Sequence, residues 1–204
     1  MLNACHCQHP HRGKMLLMSS FRSTRPQASE YSPSHESYIR RVPDGDIVDI
    51  IEKQFEETLA FVRPLSDREA SSRRKPTEWN IKEIIGHLSE GERFIACRAL
   101  RFARADYQPL PGWDQDDYMR ESNFSERTLQ DLTQELEHLR RANVALFRSF
   151  SAEALNRRGK ADGKGSLGAR PALYSRRPRA PSSGADAPAP ARTAHRRQLD
   201  SPSA

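Results

Sequence analysis

Hydrophobic residues follow a helical period over three long stretches of the chain. In the first stretch, the apolar residues recur every three or four positions, at Ile47, Ile51, Phe55, Leu59 and Val62. This spacing places them on one face of an amphipathic helix. The turn residues at 43–46 (Pro-Asp-Gly-Asp) predict where the helix starts, and Pro64 predicts where it ends.

The second and third stretches predict longer helices. Asn80 followed by Glu83 forms a capping-box pattern, and the helix that it opens extends to about Ala103. Its apolar side carries Ile81, Ile84, Ile85, Leu88, Ile95 and Leu100. Ser125 is the predicted cap of the third helix. That helix has near-heptad spacing, which is typical of a packing seam, at Leu129, Leu132, Leu136, Leu139, Leu146 and Phe150.

These patterns predict an all-α protein of the up-down four-helix-bundle type with only three core helices. After Asn156, apolar periodicity stops and Gly, Pro, Ala, Arg and Ser dominate. A long fourth helix is excluded by the prolines, which are Pro171, Pro178, Pro181, Pro188 and Pro190. We therefore predict an irregular segment at 1–43, an incomplete helical domain at 44–163 and a disordered tail at 164–204.

Charge and composition exclude several classes of function. The chain carries a net charge of +6, but the part from Arg157 onward has 11 Lys or Arg and 3 Asp, so the preceding part is slightly acidic at −2. The basic tail lacks interleaved aromatic residues, and we expect no specific nucleic-acid binding by the fold. No apolar run is long enough for a membrane span. Three cysteines without a framework spacing favour a reducing cytoplasm.

His87 is the first candidate for metal chemistry. It lies beside the apolar stripe of the second helix, where an imidazole can bind a metal through one nitrogen. Glu83 and Glu90 stand one turn to either side and are candidates to hydrogen-bond its other nitrogen. On spacing alone, an ordinary histidine at the edge of the core is the commoner interpretation, because catalytic zinc usually has three protein ligands.

Other potential ligands have the wrong spacing. The segment 5–11 (Cys-His-Cys-Gln-His-Pro-His) does not have zinc-finger spacing, and it precedes Met15 and Met18, so the true start could be Met1 or either of these. The acidic group at 114–117 lacks the Gly and Glu of an EF-hand loop. For Trp79 and Phe94 we expect core packing rather than a pocket.

The segment 76–92, Pro-x-x-Trp-Asn-Ile-Lys-Glu-x-x-Gly-His-Leu-x-Glu-x-Glu, resembles the second helix of the DinB-like superfamily, which includes thiol S-transferases. The loop at 110–118 and the segment at 156–163 are similar to that family too. The resemblance implies a four-helix bundle in which three histidines hold a divalent metal, Zn or Ni. One lies on this helix, and an H-x-x-x-H pair lies on the last. It also implies a homodimer and a small-molecule or thiol substrate.

The chain departs from the family pattern in its tail. No H-x-x-x-H follows Gly163 and His195 stands alone, so only His87 carries over as a ligand. Residues 170–183 can be written as codons with free third bases and read one base later. The shifted codons permit A-L-L-Y-I-L-A-G-H-E-L-H-H, an apolar helix with the missing pair. We therefore predict that the coding frame was lost near Lys164.

Three functions follow from these observations. The first is a DinB-family protein related to thiol S-transferases and metal-dependent hydrolases, inactive in this chain because two of three metal histidines are absent. The alternative is a non-catalytic helical interaction module with a basic tail. The third is a nucleic-acid-binding protein that works through the arginines of that tail.

Overall fold

The computed structural model describes residues 22–31, 33–161, 166–169 and 173, and within them the protein is mainly helical. In chain order the helices are α1 (Glu36–Arg41), α2 (Ile47–Val62), α3 (Asp67–Ser71), α4 (Ile81–Ala103), α5 (Gln115–Arg120), α6 (Leu129–Arg148) and α7 (Ala152–Asn156). Strands β1 (Arg158–Lys160) and β2 (Ser166–Gly168) follow, and single 3-10 turns occupy Ala28–Glu30, Pro33–His35 and Phe124–Glu126. None of the described helices is long and apolar enough to cross a membrane.

The first two predicted helices are confirmed with their caps. The side chain of Asp46 accepts a hydrogen bond from the Val48 amide at 2.9 Å, which starts α2. At the start of α4, Asn80 and Glu83 form the reciprocal capping box, and the helix ends at Ala103 as predicted. Both starts could be predicted because a cap depends only on residues within one turn.

The predicted start of the third helix is wrong by one turn. The N-cap of α6 is Thr128, whose side chain accepts from the Asp131 amide at 3.1 Å. Ser125 lies instead in the preceding 3-10 turn, where its hydroxyl donates to Glu83 at 3.3 Å. Both residues suit a cap locally, and tertiary contacts accompany the observed start: Ser125 contacts α4, and the Leu129 amide donates to Asp67 of α3 at 2.6 Å.

The predicted seam of α6 is interrupted at mid-helix, although its last residue, Phe150, is fully buried. Leu129, Leu132 and Leu136 are buried, but Leu139 and Leu146 are partly exposed. Leu146 still packs against the core beside the buried Val144 and Phe147. At mid-helix, Arg140 and Asn143 are buried against Glu92 of α4. A polar network, described below, therefore replaces the expected leucine contacts at mid-helix.

Helix α6 lies between α2 and α4. It is antiparallel to α2, since Arg148 near its end pairs with Asp49 at the start of α2. It is parallel to α4, since Lys82 at the start of α4 contacts the carbonyl oxygen of Ser125 just before α6. Parallel neighbouring helices need a long crossover, and residues 104–128 with α5 provide it. Within the described residues, α2 and α4 have no contact with each other comparable to those they make with α6.

The described core has two parts, on either side of the buried pair of Arg140 and Glu92. The first surrounds Ile51, Phe102 and Phe147, and the second surrounds Phe55, Ile85 and Leu136. Together these faces confirm an all-α bundle in which three long helices form the core.

The segment predicted as irregular at 1–43 contributes to the core in its described part. Ile39 of α1 and Val42 are buried, and the Arg25 guanidinium donates to their carbonyl oxygens at 2.6 and 2.8 Å. Helix α1 has only six residues, which are too few for a hydrophobic period to be detected from the sequence. Residues 1–21, with their Cys and His cluster and candidate start codons, lie outside the described residues.

The C-terminal part of the domain forms a hairpin. Strand β1 pairs antiparallel with β2, with Gly159 opposite Leu167, so the predicted boundary at 163 falls inside the hairpin. Beyond β2, Ala169 and Leu173 are buried in the core. The remaining tail, with the predicted new frame and His195, lies outside the described residues.

Candidate site around His87

His87 is half-buried in the second turn of α4, with two indole rings in contact with its imidazole. The Trp79 ring is tilted by 56° with its centroid 5.0 Å away, and the Trp113 ring is stacked at 5.3 Å and 16°. The Nδ1 atom of His87 is buried. The imidazole is therefore flanked by two aromatic rings and only partly exposed to solvent.

These two tryptophans belong to a larger group, which we call the aromatic cluster: Trp79, Phe94, Trp113 and Tyr118. Trp113 also stacks on Phe94 at 4.5 Å. Tyr118 meets Phe94 and Trp113 with its edge at 5.5 and 5.4 Å. Trp79 and Phe94, expected in the core, are half-buried beside His87. The roles of Trp113 and Tyr118 were missed, because loop residues give no periodic signal.

The crossover that carries Trp113 is fixed just before it. Arg98 of α4 donates to the carbonyl oxygen of Pro111 at 2.9 Å, and the Leu110 amide donates to Lys160 of β1 at 2.9 Å. Asp114 then caps α5, because its carboxylate accepts from the amides at 116 and 117 at 2.8 and 3.2 Å. The acidic group at 114–117 is therefore a helix start.

Glu83 is engaged by several groups at the start of α4. The Asn80 amide donates to its Oε2 at 2.9 Å. Its Oε1 accepts from Ser125 at 3.3 Å and from the guanidinium of Arg73. These contacts show the carboxylate joining α4 to the loops on either side. The predicted hydrogen bond between Glu83 and the imidazole of His87 stays a prediction.

Glu90 stands one turn after His87 in a different environment. Its Oε2 atom is buried and has no hydrogen-bond partner among the residues that the structure describes. Burial raises the pKa of this carboxyl, and Glu135 raises it further, while Arg93 opposes the shift. Such a carboxyl holds its proton to higher pH than an exposed glutamate does.

Gly86 allows the chain to pack closely beside His87. A Cβ atom at this position would lie 2.4 Å from the ring of Phe124, which is far inside van der Waals contact. The Phe124 ring therefore lies directly on the backbone of α4. This contact fixes the far end of the crossover next to the site.

Among the described residues, the donor set around His87 is too small for a transition metal. Across residues 22–31, 33–161, 166–169 and 173, no three His, Cys, Asp or Glu residues are grouped so that they could hold a metal ion. His138 is exposed on α6, and Cys97 is exposed on α4. One imidazole and one nearby carboxyl are fewer ligands than a zinc site needs.

The order and directions of the long helices define a class, a helical bundle with a parallel crossover between its second and third long helices. The chain belongs to the DinB superfamily, whose family model matches residues 50–196. The resemblance and the fold class predicted from the sequence are thus confirmed. The match extends past Lys164, and the predicted loss of frame stays a prediction.

Two solved structures share this fold. YfiT from Bacillus subtilis, described as a probable metal-dependent hydrolase with an unusual four-helix bundle topology, aligns with a TM-score of 0.54 and 14% identity, over 78% of this chain and 87% of YfiT. A mycothiol-dependent maleylpyruvate isomerase aligns with a TM-score of 0.54 and 11% identity, over 63% of this chain and 55% of the isomerase. No curated protein matches the chain.

Proposed function

We propose that this chain keeps the scaffold of a DinB-type metal protein, with His87 as the one retained metal ligand, but does not itself hold a metal tightly. The observation that carries the proposal is the placement of His87. Its imidazole is flanked by two aromatic rings at the edge of the bundle, and the described residues provide no set of three ligands. A single imidazole competes poorly with water for zinc or nickel.

The relatives support the class of chemistry that the intact form would perform. One is described as a probable metal-dependent hydrolase, and the other depends on the thiol mycothiol. A divalent ion in such a bundle would activate water or a thiol for hydrolysis or transfer. This chain's described residues do not assemble a site for that step, so we propose that it has no metal-dependent activity. We also propose a cytoplasmic location and a homodimer.

The missing ligands are proposed to lie in a shifted reading frame. The codons for 170–183, read one base later, permit an apolar helix bearing H-x-x-x-H. The nucleotide sequence around codon 164 tests this directly. If the shifted frame does not encode a histidine pair four residues apart, the loss of frame is ruled out.

Metal analysis of the purified protein tests the proposed function. After incubation with Zn²⁺ or Ni²⁺ and desalting, this chain should retain far less than one ion per molecule by mass spectrometry of the metal. A frame-corrected protein should retain about one, because three histidines complete the ligand set. His87→Ala should abolish that binding.

His138→Ala is the matched control in the frame-corrected protein, since His138 is an exposed histidine on α6. It should leave the metal content unchanged. Stoichiometric metal in the present chain that disappears with His87→Ala would contradict the proposal of a lost site.

A non-catalytic interaction module is the second candidate function. Two large apolar side chains of the long helices are exposed to solvent: Phe61 on α2 is 42% exposed and Leu100 on α4 is 36% exposed. Single exposed apolar side chains are common on protein surfaces, so this candidate requires that one of them belongs to a continuous apolar patch. A frame-corrected protein that binds no metal would favour this candidate.

A further inference from the structure

We propose that residues 112–121, which we call the lid, form a hinged flap whose Trp113 covers the imidazole of His87. The lid contains α5 and crosses the end of α4 where His87 lies. The proposal rests on the proposed role of His87 as the residue that a ligand must reach. It adds a moving element that controls access to that residue.

The covering contact is an aromatic stack. Trp113 lies nearly parallel to the imidazole and, at the same time, to the ring of Phe94, at 16° and 17°. It therefore fills the space between His87 and Phe94, which lies about two turns further along α4. While Trp113 stays there, an incoming molecule cannot reach that side of the imidazole.

The lid itself is weakly attached. No residue of α5 is buried, and Tyr118 is 43% exposed. The ion pairs of Arg120 are with Asp117 and Glu121, so they lie within the lid and do not tie it to the bundle. The described contacts that hold it down are the stacking of Trp113 and Tyr118 and the packing of Met119 on the core.

Both ends of the lid are firmly held, which makes the motion a hinge rather than a general unfolding. Before it, Pro111 accepts a hydrogen bond from Arg98, whose side chain is buried. After it, the ring of Phe124 is buried against Gly86. The exposed Gly112 lies directly between a fixed residue and Trp113, at a position where backbone rotation meets least steric hindrance.

Chemical labelling of histidine measures the opening of the lid in the full chain without any metal. Diethyl pyrocarbonate modifies accessible neutral imidazoles, and peptide mass spectrometry follows His87 and the exposed His138 in the same sample. The reaction is run near pH 8, above the ordinary histidine pKa of about 6.5, so that protonation does not set the rate. His87 should react at least about tenfold more slowly than His138, because only the open fraction is reactive.

Variants of the lid then separate opening from other causes. Trp113→Ala should raise the His87 rate about tenfold, and Tyr118→Ala should raise it by a smaller factor, while the rate of His138 stays constant. Trp113→Phe keeps an aromatic stack and should stay slow. Tyr107→Ala is the matched control, since Tyr107 is a 72% exposed aromatic residue of the same crossover outside the lid.

The result that overturns the lid is an unchanged His87 rate in both Trp113→Ala and Tyr118→Ala, or a wild-type rate equal to that of His138. Circular dichroism checks that each variant is folded. If Trp113→Ala is not folded, the His87 rate in Tyr118→Ala alone decides the test. The labelling experiment tests the lid and the metal analysis tests the proposed function, so either proposal can be contradicted without the other. A slow, lid-dependent His87 in a frame-corrected protein that binds no metal keeps the lid and removes the metal role.

Discussion

Gly86 shows how the absence of one side chain positions the neighbouring His87. The Phe124 ring occupies the space where a Cβ atom would be, so the loop end and α4 approach more closely than any other residue would permit. Glycine inside a helix costs about 1 kcal/mol relative to alanine. Here the close approach of the ring offsets that cost.

We predict that Gly86→Ala destabilises the protein by about 1 kcal/mol in spite of the better helix propensity of alanine, because overpacking costs about 1–3 kcal/mol. In a Phe124→Ala background the same substitution should stabilise the protein, since the ring is gone and only the propensity gain of up to about 1 kcal/mol remains. Urea unfolding of the four proteins measures both effects. Equal effects in the two backgrounds would mean that the ring does not determine the residue at 86.

The partly buried carboxyl of Glu90 should make the stability of the protein depend on pH. Burial raises the pKa of its carboxyl in the folded protein, so the folded state binds the proton more tightly than the unfolded state does. Its contribution to stability is therefore lost as pH rises from the ordinary value of 4.5 through the raised value. Glu90→Gln should raise the melting temperature at pH 7 and change it little at pH 4.

The control for Glu90 is Glu121→Gln, because the side chain of Glu121 is 84% exposed. Its effect on melting temperature should be small at both pH values. If Glu90→Gln lowers the melting temperature at pH 7, the carboxylate must be stabilised by its surroundings rather than penalised by burial.

At the scale of elements, a buried polar network joins the three long helices. The Arg140 guanidinium of α6 pairs with Glu92 of α4 at 2.7 Å, and both side chains are only 3% exposed. It also donates to the Ile51 carbonyl oxygen of α2 at 3.3 Å and lies over the Phe55 ring. Asn143 donates to the other oxygen of Glu92 at 2.8 Å. Burial lowers the pKa of Arg140, and the attraction of Glu92 opposes that shift.

We predict that Arg140→Met costs about 3–5 kcal/mol, because it leaves the carboxylate of Glu92 buried without its cation. The double variant Arg140→Met with Glu92→Leu should regain most of that loss, since an apolar pair of similar volume needs no compensation. Chemical denaturation gives the free energies of unfolding. The adjacent Arg141 is 67% exposed, and Arg141→Met should cost less than about 1 kcal/mol.

The elements that the sequence predicted correctly are those with local causes. The start of α4 depends on Asn80 and Glu83 alone, and the stripe of α2 on its own spacing. The start of α6 was misplaced because Ser125 and Thr128 both suit a cap, and the contacts that favour Thr128 come from elsewhere in the fold. Ser125 donates to Glu83, and the Leu129 amide donates to Asp67. The burial of Arg140 depends on two other helices, which no local pattern reveals.

At the scale of the whole molecule, resemblance identified the family and His87, but the surroundings of His87 could not be predicted. Trp113 is far from His87 in the sequence and reaches it only because the crossover returns along α4. The order of the helices was equally hidden, since three amphipathic stripes allow any of them to be central. The structure places α6 there, between an antiparallel and a parallel neighbour.

This arrangement determines how the bundle can come apart. Because α6 belongs to both major interfaces, α2 or α4 can detach while the other two helices remain paired. The loss of α6 would leave two helices with little direct contact between them. Among the described helices, either flank can therefore open locally, whereas displacement of α6 removes both major helix interfaces at once.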